Sequence, residues 1–151
     1  MCACARGPYV PLADPEARLD RVEAPGVLDF YERATAFYRR LEGRRFNSIA
    51  TFRDAGLREY FRGEESFSDY YADLAEALVE ANFERSKPIH TEIAEFLVDG
   101  PGQARVRVLL RGENALPLRW WETGAAREDR WVRSAGQWWI QPGQSGRLAA
   151  P

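Results

Sequence analysis

From Val27 onward, apolar side chains return at steps of three and four: Val27, Phe30, Tyr31, Ala34, Phe37, Tyr38 and Leu41. These positions fall on one stripe of a helix, with Asp29, Glu32, Arg33, Arg39 and Arg40 on the opposite side. Gly43 is a natural C-terminal stop. Asn47 or Ser48 caps a second expected helix, turned inward through Ile49, Phe52, Tyr60 and Phe61 and ended by Gly63. Ser66 with Asp69, or Ser68 alone, opens a third that runs to about Phe83 and buries Tyr71, Leu74, Leu78 and Val79.

From Pro88 the period falls to two. Ile89 to Val98 alternates in part, Asp99-Gly100-Pro101-Gly102 is a turn signal, and Ala104 to Val108 alternates cleanly. Gly112-Glu113-Asn114 marks the next turn. A strand is expected around Leu118 to Glu122, then, past Gly124, another over Asp129 to Arg133. Ser134-Ala135-Gly136 is a tight hairpin into Gln137 to Gln141, closed by Pro142-Gly143. Three helices followed by four to five consecutive antiparallel strands predict an α+β domain, with the helices on one face of the sheet. The Pro-containing stretch 1–22 reads as a tether, 23–143 as the single domain, and 144–151 as a frayed tail.

Composition narrows the chemistry. The 151 residues suit one domain, and 21 basic against 23 acidic side chains leave a net charge of −2, with no basic surplus to imply nucleic acid or an acidic lipid surface. Lys87 is the only Lys, so the Arg-rich balance reflects coding bias rather than a binding code. No stretch reaches the roughly 18–20 apolar residues of a membrane span. Cys2 and Cys4 are too close together for a structural zinc site, and His90 is the only His, so neither a metal nor a cofactor is expected. There is no Gly-rich phosphate loop and no nucleophile motif. Glu64-Glu65 and Glu128-Asp129 read as solvated charge in turns.

The run Trp131-Val132-Arg133-Ser134-Ala135-Gly136-Gln137-Trp138-Trp139-Ile140, placed after helices that open on a long aromatic one, resembles the nuclear transport factor two superfamily. That superfamily is the cystatin-like cone that includes ketosteroid isomerases and SnoaL-like proteins. The resemblance spans residues 27–141 and implies a strongly curved sheet wrapping the first helix around a cone-shaped cavity. The superfamily hosts isomerases, dehydratases, transport adaptors and proteins without a reaction, so the fold alone assigns no function. Its isomerases pair a carboxylate base with a Tyr and a protonated Asp, and no spacing here transfers those roles residue by residue. Separately, Cys2-Ala3-Cys4-Ala5 with the tether Arg6-Gly7-Pro8 resembles a processed bacterial lipoprotein. That likeness implies lipid on Cys2 and an envelope location. Two ordinary thiols on a cytoplasmic protein are the alternative.

The candidate ligand-binding residues are Tyr31, Tyr38, His90, Trp120, Trp121, Trp138 and Trp139. Adjacent residues of a strand point to opposite faces, so each Trp pair places one ring on either side. Such rings suit a cavity lining or a subunit contact. His90, on the strand face of Glu92 and Phe96, is the one side chain poised to act as a base near neutrality. Three functions remain open. One is a non-catalytic domain binding a small apolar ligand or a protein partner, with a membrane tether through Cys2. Another is a small lyase or isomerase, with His90 as base and Tyr31 or Tyr38 as polariser. The third is an assembly module that forms a homodimer through its sheet.

Overall fold

The computed structural model describes residues 24–142, so the tether, Cys2 and the C-terminal tail lie outside the described residues. Among these, helices α1 (Ala24–Leu41), α2 (Ile49–Phe52), α3 (Ala55–Arg58) and α4 (Glu64–Glu80) come first, then a 3-10 turn at Glu84–Ser86. Strands β1 (His90–Gly100), β2 (Gln103–Glu113), β3 (Glu122–Ser134) and β4 (Gln137–Gln141) follow, and they form one antiparallel sheet in the order β1-β2-β3-β4. The architecture is α+β. No helix among the described residues is long and apolar enough to cross a membrane.

Helix α1 keeps the stripe written in its sequence: Phe30, Ala34, Phe37, Tyr38 and Leu41 are buried, while Tyr31 is exposed. Arg39 and Arg40 occupy its last turn, where the helix dipole favours cations. Gly43 then takes a left-handed φ of 74° and donates its N–H to the Pro88 carbonyl.

The expected second helix is instead two single turns. Ser48 caps α2 through the Ala50 N–H, as anticipated, but Asp54 accepts from the Gly56 N–H at 2.8 Å and starts a new helix. A short Asp side chain competing for backbone donors is what divides the segment. Ile49 is left exposed, and the inward anchors are Thr51, Leu57, Tyr60 and Phe61, with Phe52 half-buried.

Helix α4 is capped at Gly63 rather than at Ser66 or Ser68. The earlier start puts Glu64 and Glu65 in the first turn, where the dipole favours them, and brings Phe67 onto the buried stripe with Tyr70, Leu74 and Leu78. Tyr71 is only half-buried, and Val79, one position past the stripe, is exposed.

In the sheet, no strand forms over Leu118 to Glu122. Residues 114–121 are a loop, and β3 runs unbroken through Gly124, paired with β2 from Glu113↔Glu122 to Gln103↔Val132. A continuous ladder outweighs the cost of one strand Gly, about 1 kcal/mol. The strands therefore number four among the described residues. At the β3–β4 turn, Ala135 (φ 51°) and Gly136 (φ 78°) take the paired positive angles that a two-residue hairpin needs.

A bulge in β1 changes which side chains share a face. The register shifts between Ile93 and Glu95, so Thr91 and Ile93 face inward before it and Phe96 and Val98 after it. His90 and Glu92 thus point outward while Phe96 meets the rings of Phe30 and Tyr31, at 6.1 and 5.5 Å. The single face expected for His90, Glu92 and Phe96 is not formed. At the other edge, β4 is covered: the Ile140 N–H donates to the Tyr60 carbonyl at 3.0 Å, and Arg33 Nε to the Trp138 carbonyl at 2.8 Å.

Candidate functional site

Strand alternation puts Arg127, Asp129 and Trp131 on one inner face of β3, all buried. Helix α1 brings Tyr38 to this point, and α4 brings Tyr70 and Asp73. Both tyrosine hydroxyls donate to Asp129 Oδ2, Tyr38 at 2.9 Å and Tyr70 at 3.0 Å. Arg127 Nε donates to Asp129 Oδ1 at 2.8 Å, and its other arm lies 3.2 Å from Asp73. Trp131 Nε1 donates to the Tyr38 oxygen at 3.3 Å, and the Arg127 guanidinium stacks 4.4 Å from the Tyr70 ring centre. Glu128-Asp129 is therefore not a solvated turn, because Asp129 is 2% exposed.

Burial, reinforced by the Asp129 charge, holds the Tyr38 hydroxyl well above its ordinary pKa. Burial does the same for Tyr70, over the opposing pull of Arg127. For Arg127 burial opposes the charged form, but Asp129 and its neighbours outweigh it and hold the guanidinium charged. The Tyr38 and Tyr70 hydroxyls, Trp131 Nε1 and Arg127 Nε are each spent on a neighbour, and both Asp129 oxygens are occupied. A substrate would have to displace a packed ring to reach them. The arrangement ties α1, α4 and β3 together, and its chemistry is cross-linking.

The interior that the resemblance leaves hollow is occupied by rings. Phe37 lies 5.0 Å from Tyr60, 5.6 Å from Tyr70 and 5.8 Å from Trp131, ring centre to ring centre. Phe30 packs 4.8 Å from Trp138. Tyr38 and Trp138 thus belong to the packed core. Trp139 faces the other side of β4, half-buried, with Nε1 donating to the Ser134 carbonyl.

His90 opens β1 on the outer face with 61% of its side chain exposed. Its Nδ1 is 3.7 Å from Glu42, whose Oε1 already accepts from the Thr91 N–H and hydroxyl. It meets neither Tyr31 nor Tyr38, so the geometry supplies no enclosed base–polariser pair. The outer sheet face carries Trp139 on β4 and charged side chains across β2 and β3, with Arg107 opposite Glu128 and Arg105 opposite Arg130. Asp99 takes two hydrogen bonds from Arg105, at 2.8 and 3.1 Å, beside a groove of ≈ 390 Å³.

Tyr31 and Phe96 are partly exposed, and the most exposed aromatic side chains among the described residues lie in the β2–β3 loop. Its base is fixed to the end of α4: Ala115 N–H donates to the Asn82 carbonyl at 2.8 Å, and Thr123 Oγ1 to the Ala81 carbonyl at 2.6 Å. Leu116 N–H donates to Asn114 Oδ1, and Phe83 and Asn114 form a bridge. At the tip, Arg119 N–H donates to the Leu116 carbonyl, closing a turn with Pro117 second and Leu118 third. Leu118 holds φ 64°, where such turns ordinarily place Gly. Leu118 is 94% exposed, Trp120 90% and Trp121 52%. The two indoles meet edge to face at 6.2 Å, and the Arg119 guanidinium lies 5.7 Å from the Trp121 ring. Because 114–121 is a loop, the expected division of Trp120 and Trp121 between two sheet faces does not arise.

Sequence reasoning passed over Asp129, Arg127, Tyr70 and Asp73. The available signal was the alternation of Arg127, Asp129 and Trp131 across a strand whose start was placed too late. No protein-family model matches this chain, and neither the curated proteins nor the solved structures yield a match.

Proposed function

We propose that this chain is a non-catalytic docking domain whose contact element is the β2–β3 loop. One observation carries it: Leu118 and Trp120 are almost wholly exposed on a tip whose base is hydrogen-bonded to Ala81 and Asn82, just past the end of α4. A Leu held at positive φ costs roughly 1 kcal/mol or more, a strain associated with recognition sites. In the same reading the fold is a cone of the nuclear transport factor two type, its hollow filled by Phe30, Phe37, Tyr38, Trp131 and Trp138. The element order and the Trp131 to Ile140 hairpin support that likeness, and the filled interior favours docking over a small apolar ligand. Lipid on Cys2 with an envelope location fits a docking role, and intact-mass measurement of the protein from its native host tests it.

The test of docking uses the W120S/W121S variant in that host. The wild-type chain should fractionate with a larger assembly or particulate material, and the variant should be released while keeping its thermal midpoint. Equal fractionation of the two proteins removes the loop from the function.

A further inference from the structure

We infer that the partner of the β2–β3 loop is the interface of a phospholipid bilayer, a conclusion that rests on the docking reading above. The loop sequence is Asn114-Ala115-Leu116-Pro117-Leu118-Arg119-Trp120-Trp121, which holds one cation and no carboxylate; Glu113 and Glu122 belong to the strands at its base. Each tip residue matches a different depth of a bilayer surface. Leu118, the most exposed, is purely apolar and suits the acyl region. Trp120 and Trp121 combine a large apolar ring with an N–H donor, the pairing that settles where hydrocarbon meets headgroup. Arg119 lies between Leu118 and the tryptophans, and its long stem lets the guanidinium reach back to phosphate.

A second copy of the chain fits the loop less well. A two-fold contact through this tip brings Arg119 toward its own copy with no loop carboxylate to pair either one. A bilayer supplies the missing negative charge and yields around a protruding tip. The ties at Asn82, Ala81 and Phe83 present the loop already ordered, which lowers the entropic cost of insertion.

The test uses the full unlipidated chain and vesicles of equimolar phosphatidylcholine and phosphatidylglycerol. The chain should co-sediment with them and its Trp emission should shift to the blue. Brominated acyl chains should quench Trp120 and Trp121, while the buried Trp131 and Trp138 supply an unquenched background. Binding should fall about tenfold or more in W120S/W121S, and R119E should weaken it. Equal binding and quenching in wild type and W120S/W121S overturns the inference, as does a loop-dependent dimer in sedimentation equilibrium. If the wild type ignores vesicles but its fractionation in the host still depends on Trp120 and Trp121, the bilayer falls and docking stands. If neither depends on the two residues, both fall.

Discussion

The Tyr38 hydroxyl donates to Asp129 Oδ2 across 2.9 Å, joining the C-terminal end of α1 to the inner face of β3. Tyr70 shares the same oxygen and Arg127 takes the other. Charge, aromatic burial and three elements therefore meet at one carboxylate.

Asp129→Asn should destabilise the fold by about 3 kcal/mol, because it removes the buried carboxylate charge that faces the buried Arg127 guanidinium across 2.8 Å. Tyr38→Phe should cost about 1.5–3 kcal/mol, the value of one hydrogen bond to a charged acceptor. Urea unfolding measures both, and a double-mutant cycle between them should show coupling. A loss below about 0.5 kcal/mol for Asp129→Asn would show that the cluster is not the cross-link described.

Stability should decline at alkaline pH. The folded pKa of Tyr38 and of Tyr70 is raised, so folding favours their protonated forms. That contribution is complete below the unfolded tyrosine pKa of about 10 and is lost as pH rises above it. Y38F/Y70F should flatten the slope of unfolding free energy against pH in that range.

Acid should act through Asp54. Its partial burial raises its pKa, but hydrogen bonds from Arg44 and the Gly56 N–H outweigh this and lower it. The associated stability is present above about pH 4 and drains away as pH falls below it. Asp54→Asn should weaken that acid dependence; because Asn caps as well as Asp, its cost near neutrality should be that of the Arg44 pair alone, below about 1 kcal/mol, read by thermal melts across pH.

Leu118→Gly separates stability from docking. Glycine accepts the positive φ without strain, so the fold should change by no more than about 1 kcal/mol. Docking should weaken because the most exposed apolar side chain is gone. A large loss of stability would mean that Leu118 is packed rather than displayed.

Much of the fold was legible because its strongest signals were local. The α1 stripe, the Gly43 stop, the Ser48 cap and the Ala135-Gly136 hairpin each depend on residues a few positions apart. The bulge after Ile93 was not legible, because only pairing with β2 defines it, and it moved His90 off the face of Phe96. Asp129 was misread for the same reason: an acidic residue beside another looks solvated until Tyr38, Tyr70 and Arg127 arrive from elsewhere in the chain. The Trp120-Trp121 pair stood out in the sequence, but strand alternation was the wrong geometry for residues that lie in a loop.

Hydroxyl-radical footprinting of the tryptophans, on the purified chain and in intact cells of the native host, tests the docking claim most directly. In the purified protein Trp120 should be oxidised heavily while Trp131 and Trp138 stay silent, and inside the cell Trp120 should be protected. Equal oxidation of Trp120 in both settings would mean that nothing covers the loop, and would contradict the account.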